Sequence, residues 1–160
     1  HTVNLDKLFL AFNASLSKFD NEHGMANSRA RLRMTTLYQV AAANKGIVVG
    51  TGNKVEDFGV GFYTKYGDGG VDISPIADCN KTEIWELGKE LGILQEIIDA
   101  APTDGLWDDG RTDEGQLGLK YQELEEAMKN PNSPNRDKYE LIRKQNLHKM
   151  EPIPVCKIPN

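Results

Sequence analysis

The chain has 160 residues, which suits one domain, and 39% of them are apolar, enough for a sizeable core. The formal net charge of -5 comes with no compensating basic block, which argues against general nucleic-acid binding. No run of about eighteen apolar residues is present to span a membrane, and no signal-peptide pattern opens the chain. The two cysteines, Cys79 and Cys156, are far apart without metal-type spacing, and a reduced cytoplasmic setting is the simplest expectation.

The chain opens with His1 and "TVNLDKLFLAF", which reads as the end of a strand running into a helix. The polypeptide is therefore expected to begin inside an architecture. Leu8, Ala11, Phe12 and Leu16 recur at helical spacing, so a helix is predicted over Asp6–Phe19. The polar stretch "KFDNEHGMANS" reads as a loop. Asn27 or Ser28 is the expected cap of a second helix running to about Asn44, with Ala30, Met34, Leu37 and Ala41 as its apolar stripe. Gly46 stops it, and "GIVVGTGN" reads as a buried parallel strand closed by a glycine turn. "VEDFGVGFY" reads as a weak helix loosened by Gly59 and Gly61. Asn80 and Glu83 form a plausible capping box for a helix whose Ile84, Leu87 and Leu91 face inward and which Gly92 ends. A further helix is expected near Leu94–Asp99. "APTDGLWDDGRTDEGQLG" reads as an irregular polar loop. Helices around Tyr121–Lys129 and Asp137–Lys149 follow, then a proline-rich tail. Strands alternating with helices imply an α/β fold with a parallel sheet, whose ligands sit beyond the carboxyl ends of the strands.

Several residues sit where plain folding does not ask for them. Gly67, Gly69 and Gly70, with Asp68 and Asp72 among them and Lys65 just before, fit either a turn or a binding loop, because glycines allow positive φ or close approach. Arg29, Arg31 and Arg33 fall in the predicted first turns of a helix, where partial positive charge disfavours cations. An anionic ligand would relieve them, as would salt bridges or solvent, and Arg31 points away from the other two. Lys81, just after the Asn80 cap, repeats the pattern. Thr51 stands between Gly50 and Gly52 at a strand end, where backbone amides and a hydroxyl suit phosphate, though an ordinary turn looks the same. Glu56 opens the next helix; it serves there as a helix-end acid or as a magnesium ligand beside phosphates. His148 and Lys149 end the last helix, where the dipole favours them. Trp85 and Trp107 read as core or cover.

Taken together, "SRARLRMTTLY", "GTGNKVED", "GFYTKYGDGGVDISPIADCNKTEIWELGKELGI" and "APTDGLW", in this order, resemble ammonia-dependent NAD synthetase of the ATP pyrophosphatase superfamily. The likeness runs from "TVNLD" to "LHKMEPIPV". It implies a Rossmann-like parallel sheet flanked by helices, of the adenine nucleotide alpha-hydrolase type, as a single domain over residues 1–160. It implies a homodimer; the acidic balance and the lack of a long apolar run add the expectation of no nucleic-acid or membrane partner and, with the cysteines, a cytoplasmic setting. The implied reaction is ATP-dependent amidation of deamido-NAD by ammonia through an adenylate, giving NAD, AMP and pyrophosphate, with Mg2+ on the phosphates.

By motif, Thr51, Lys81 and Thr103 resemble ATP contacts, and Glu56 a magnesium ligand. Arg31, Lys65, Asp72, His148 and Lys149 resemble the deamido-NAD site. Asp72 is the implied proton acceptor from ammonium, with Asp68 as its rival. One block is absent: nothing between His1 and Asn27 resembles the family's Ser-Gly-Gly-x-Asp-Ser phosphate loop. The chain thus resembles the C-terminal portion of the enzyme, with N-terminal strands missing, and alone is expected to be inactive. The alternative is a non-catalytic nucleotide-binding or dimerisation module.

Overall fold

The computed structural model describes residues 1–159. Helix α1 spans Asp6–Ser15 and is extended by one 3₁₀ turn, Ser17–Phe19. Helix α2 spans Glu22–Ala43, and it starts six or seven residues earlier than a cap at Asn27 or Ser28 would allow. The true cap is Asn21, whose extended backbone lets its side chain accept from the Gly24 N–H at 2.7 Å. Asn27 and Ser28 instead turn inward to the carbonyls four residues before them, His23 and Gly24, at 2.9 Å each. Arg29, Arg31 and Arg33 therefore lie in the body of α2, clear of its positive end, and the dipole argument for an anion beside them falls away.

The expected buried parallel strand at "GIVVGTGN" is not formed. Among the described residues there is no extended strand, only one isolated parallel bridge between Val49 and Ile73. Gly50 N–H donates to Ile73 O at 2.7 Å and Asp72 N–H to Val48 O at 2.9 Å. Val48 is buried, yet Ile47 and Val49 are 59% and 51% exposed. A β-branched run becomes a central strand only when neighbours pair with it on both sides, and here one short segment does so.

After the Gly50–Gly52 turn, Val55–Val60 winds as a π-helix, a rare form that is frequent at functional sites. Gly61 ends it at φ 66°. Helix α3 (Lys81–Glu90) starts as predicted, with the Glu83 carboxylate accepting from Asn80 N–H at 2.6 Å. Leu87 and Leu91, expected inside, are 43% and 69% exposed. Helix α4 is the single turn Gln95–Ile98. The loop that follows hides an unpredicted helix, α5 (Asp113–Leu117), capped by the Thr112 hydroxyl. Helices α6 (Tyr121–Lys129) and α7 (Arg136–Met150) match their predicted places.

The core joins the π-helix to α6 and α7. Val55, Val60, Tyr121 and Leu124 are completely buried in it, with Leu119 and Tyr139 nearly so. Trp85 of α3 meets Tyr121 edge-on, with ring centroids 6.0 Å apart. The glycine loop docks on α2 by close approach. A Cβ at Gly67 would stand 2.9 Å from Ala30 Cβ, and one at Gly69 would stand 2.5 Å from the Tyr63 ring.

Candidate functional site

A cavity of about 580 Å³ opens between α2, the Gly50–Gly52 turn, the glycine loop, the start of α3 and the Pro102–Trp107 loop. Thr51, Glu56, Lys81, Thr103 and Lys149 line it, as does Asp68. Arg31, Lys65, Asp72 and His148 lie outside its lining.

The inner wall is an ionic cluster. Lys81, the first residue of α3, extends its Nζ to Glu56 Oε1 at 3.1 Å, with the two side chains only 19% and 15% exposed. The Tyr121 hydroxyl, on a fully buried ring, donates to the same oxygen at 2.6 Å. Lys81 Nζ also stands 4.9 Å from the centre of the Tyr121 ring. Glu56 Oε2 receives only a long contact, 3.4 Å, from Asn53 N–H. Asp113, which lines the cavity where Tyr121 does not, is 6% exposed, and its Oδ2 accepts from the same hydroxyl at 3.3 Å. Burial first, then the neighbouring Glu56 and Asp104 charges, push the Asp113 carboxyl up to about 6. The Tyr121 phenol is raised by burial and by Glu56. Asp57, beside Glu56, is likewise pushed up to about 6, by burial, then Glu56, then Asp68.

Helix α6 holds this wall from behind. Glu125, one turn after Tyr121 and buried, accepts from the Thr82 amide at 3.0 Å and from the Thr82 hydroxyl at 2.6 Å. It thereby anchors the first turn of α3, which carries Lys81.

A second group of predicted residues comes together at the end of α7, bonded to one another's backbone. Lys65 Nζ donates to His148 O at 2.6 Å, and Arg31 Nε to Lys65 O at 3.2 Å. Lys149 Nζ donates to Gly61 O and Tyr63 O at 2.8 and 2.7 Å, and burial lowers its pKa. Asp68, open to solvent through the cavity, is enclosed enough for burial to raise its carboxyl against the Thr64 amide that bonds it at 2.9 Å. Asp72 is engaged elsewhere: Oδ2 accepts from Val48 N–H at 2.7 Å and Oδ1 from the Tyr38 hydroxyl at 3.1 Å.

The arginines of α2 find structural partners. Arg29 Nη1 donates to Leu106 O at 2.8 Å and Arg33 Nη2 to Gly105 O at 3.0 Å, so α2 clamps the loop that carries Thr103. Sequence reasoning missed Tyr121, Asp113 and Asp57. Tyr121 opens an ordinary predicted helix, and Asp113 falls in the stretch that reads as an irregular polar loop. No local signal separates either from its structural role.

The donor set is all oxygen, which suits magnesium or another hard cation. Among the described residues no three His, Cys, Asp or Glu side chains gather into a ready-made metal nest, so a cation here needs oxygens from a ligand to complete its shell. Among the described residues no helix is long and apolar enough to cross a membrane.

Comparison with known proteins bears on this geometry. A family model described as NAD synthase matches residues 1–158. The NH(3)-dependent NAD(+) synthetase of Carboxydothermus hydrogenoformans is 45% identical over 130 residues, 79% of this chain and 53% of that protein. The protein of the same description from Alkaliphilus metalliredigens is 41% identical over 167 residues, covering 96% and 67%. A solved structure of NMN synthetase from Francisella tularensis superposes with a TM-score of 0.88 at 34% identity, over 100% of this chain and 66% of that one. That of NH3-dependent NAD synthetase from Campylobacter jejuni, in complex with the nitrate ion, gives 0.71 at 23% identity, covering 97% and 64%, a likeness of fold alone. The chain spans about half the length of the first curated relatives it matches.

Proposed function

This chain belongs to the NAD synthase family, and we propose that its 160 residues form the C-terminal part of an NAD synthetase domain. The proposed activity is the ATP-dependent amidation of deamido-NAD by ammonia, giving NAD, AMP and pyrophosphate. The observation that carries it is the Lys81–Glu56 pair, secluded at one end of a cavity that Thr51 and Thr103 also line. Lys81 offers a cation to phosphate, and Glu56 keeps a carboxylate oxygen almost free beside it. Glycines at the Gly50–Gly52 turn let backbone amides approach the same phosphates. The Val49–Ile73 bridge is read as a remnant of the family's Rossmann-like parallel sheet. The homodimer rests on family resemblance alone, and the cytoplasmic setting on that resemblance and on the wide spacing of Cys79 and Cys156.

In this reading the nicotinate carboxylate attacks the ATP α-phosphorus, and the bond to pyrophosphate breaks. Ammonia then attacks the acyl carbon, and AMP leaves. Magnesium, when bound, neutralises phosphate charge, and Glu56 would hold it. Lys81 steadies the phosphates and the developing charge on pyrophosphate. Arg31, Lys65, His148 and Lys149 shape the deamido-NAD end, chiefly through the Lys149 and Lys65 bonds that lace α7 to residues 61–65. Ammonium must lose a proton before nitrogen attacks. Asp68 is favoured as acceptor because it faces the cavity with a raised carboxyl, whereas both oxygens of Asp72 are bonded to the scaffold. A second reading, with NMN as product, is supported by the likeness to the Francisella structure.

The test offers the full-length native protein ATP, magnesium and ammonium chloride with either deamido-NAD or its mononucleotide counterpart, and follows product by mass spectrometry. Trp107 fluorescence reports binding, since Trp107 lines the cavity. Deamido-NAD consumption in preference to the mononucleotide supports the first reading, and the reverse preference supports the second. Neither turnover nor nucleotide binding would sink both.

A further inference from the structure

We propose that Asp113 and Glu56 together form a subsite for a compact cation on the inner wall of the cavity. The inference rests on the preceding reading of Glu56 and extends it to a residue that no motif singles out.

The carrying observation is an orphaned oxygen. Asp113 is 6% exposed and lines the cavity, and its Oδ1 has no hydrogen-bond partner among the described residues. Its other oxygen has only a shared one. The Tyr121 hydroxyl has a single proton, and its contact to Glu56 Oε1 at 2.6 Å is much shorter than its contact to Asp113 Oδ2 at 3.3 Å. With the proton on the Glu56 side, an ionised Asp113 has no donor on either oxygen. A buried carboxylate in that condition is costly, and natural interiors rarely keep one without a partner that arrives later.

The charge arithmetic points the same way. Two carboxylates straddle one phenol, and the neighbouring cation, Lys81, is bonded to Glu56 and acts on Asp113 only through its charge. The neighbouring Asp104 is already occupied, accepting from Leu106 N–H at 2.9 Å, Gln116 Nε2 at 3.0 Å and Trp107 Nε1 at 3.3 Å. The position of Asp113 is fixed as well. Its backbone N–H donates to Pro102 O at 2.9 Å, tying it to the loop that presents Thr103. An oxygen-only pair of this kind suits a divalent cation completed by ligand oxygens and water, or an ammonium ion.

The test uses Mn2+ alone, and separately ammonium alone, on the full-length native protein without nucleotide. Electron paramagnetic resonance counts free Mn2+. Asp113→Asn is expected to weaken Mn2+ binding about ten-fold or more, in the range by which supporting carboxylates affect metal sites. A wild-type measurement guards against a variant that misfolds: with ring-labelled tyrosine, Mn2+ should broaden Tyr121 and spare Tyr38. If Mn2+ does neither but ammonium shifts the Tyr121 resonance in the wild type and not in Asp113→Asn, the subsite stands with ammonium as its occupant. The proposal is overturned if neither cation perturbs Tyr121, or if both bind equally well to Asp113→Asn. Loss of Mn2+ binding in Glu56→Gln with none in Asp113→Asn would refute this inference while leaving the functional reading intact.

Discussion

The Tyr121 hydroxyl donates to Glu56 at 2.6 Å from a ring with no solvent exposure, across 65 positions of sequence. That bond makes α6 a support of the cavity's inner wall, although no residue of α6 lines the cavity. Removing the hydroxyl alone tests this. Tyr121→Phe keeps the edge-on contact with Trp85 but leaves Glu56 held only by Lys81 and the Asn53 amide. A stability loss of about 1–3 kcal/mol is expected, with weaker use of magnesium-ATP than of deamido-NAD. Urea unfolding and the KM of each substrate check it. Equal changes in both KM values would mean the tyrosine acts on the fold and not on Glu56.

The raised carboxyls of Asp113 and Asp57 give a pH prediction whose sign differs from that of a salt-bridged acid. Each has an ordinary value of 3.8 and rises to about 6 in the fold. Below about pH 4 both the folded and unfolded chains hold the proton, and no penalty exists. Between about 4 and 6 the unfolded chain releases protons that the folded chain keeps, so stability falls as pH rises. For Asp113 the two-unit rise corresponds to on the order of 3 kcal/mol, fully lost above about pH 6. Thermal unfolding of the cation-free protein at pH 5 and pH 7.5 should show the acid-side gain, and Asp113→Asn should flatten it. A flat wild-type profile across this window would refute the assignment.

The two aspartates of the glycine loop separate by position. Asp68 faces the cavity, and Asp72 bonds Tyr38 and the Val48 amide. Asp68→Asn is expected to lower kcat with ammonium at least about ten-fold while leaving ATP binding near normal, as loss of a general base does. Asp72→Asn is expected to cost chiefly stability, about 1–2 kcal/mol, through the Val48 contact. Single-turnover amidation and denaturant unfolding, run on both variants, distinguish the roles. A kinetic defect confined to Asp72→Asn would return the proton-accepting role to Asp72.

Gly69 approaches the Tyr63 ring too closely for a side chain, and that ring's hydroxyl donates to Lys149 O at 2.6 Å. Gly69→Ala should therefore push the ring away, loosen the end of α7 and destabilise by about 1–3 kcal/mol. Hydrogen exchange of the last turn of α7 is the direct readout. Unchanged protection there would show that the glycine loop and α7 are not mechanically joined.

The helices that carry strong local signals are legible in the amino-acid order alone. The α3 start follows from Asn80 and Glu83 because a capping box satisfies its own amides within four residues, and α6 and α7 follow from continuous helix-forming runs. Of the nine residues the motif blocks pointed to, Thr51, Glu56, Lys81, Thr103 and Lys149 line one cavity, whereas Arg31, Lys65, Asp72 and His148 lie outside its lining. Other features needed the tertiary structure. Asn21 against Asn27 as the α2 cap is a contest between similar local bonds, settled by where the chain enters the helix. Whether "GIVVGTGN" forms a strand depends on partners that pairing must supply from elsewhere in the chain. The roles of Tyr121 and Asp113 depend on a hydroxyl and two carboxylates meeting across distant segments, and nothing in their immediate neighbours carries that information. Local chemistry is written in the sequence over a few residues, whereas electrostatic pairing in a closed cavity exists only once packing has excluded the water that would otherwise have satisfied each group.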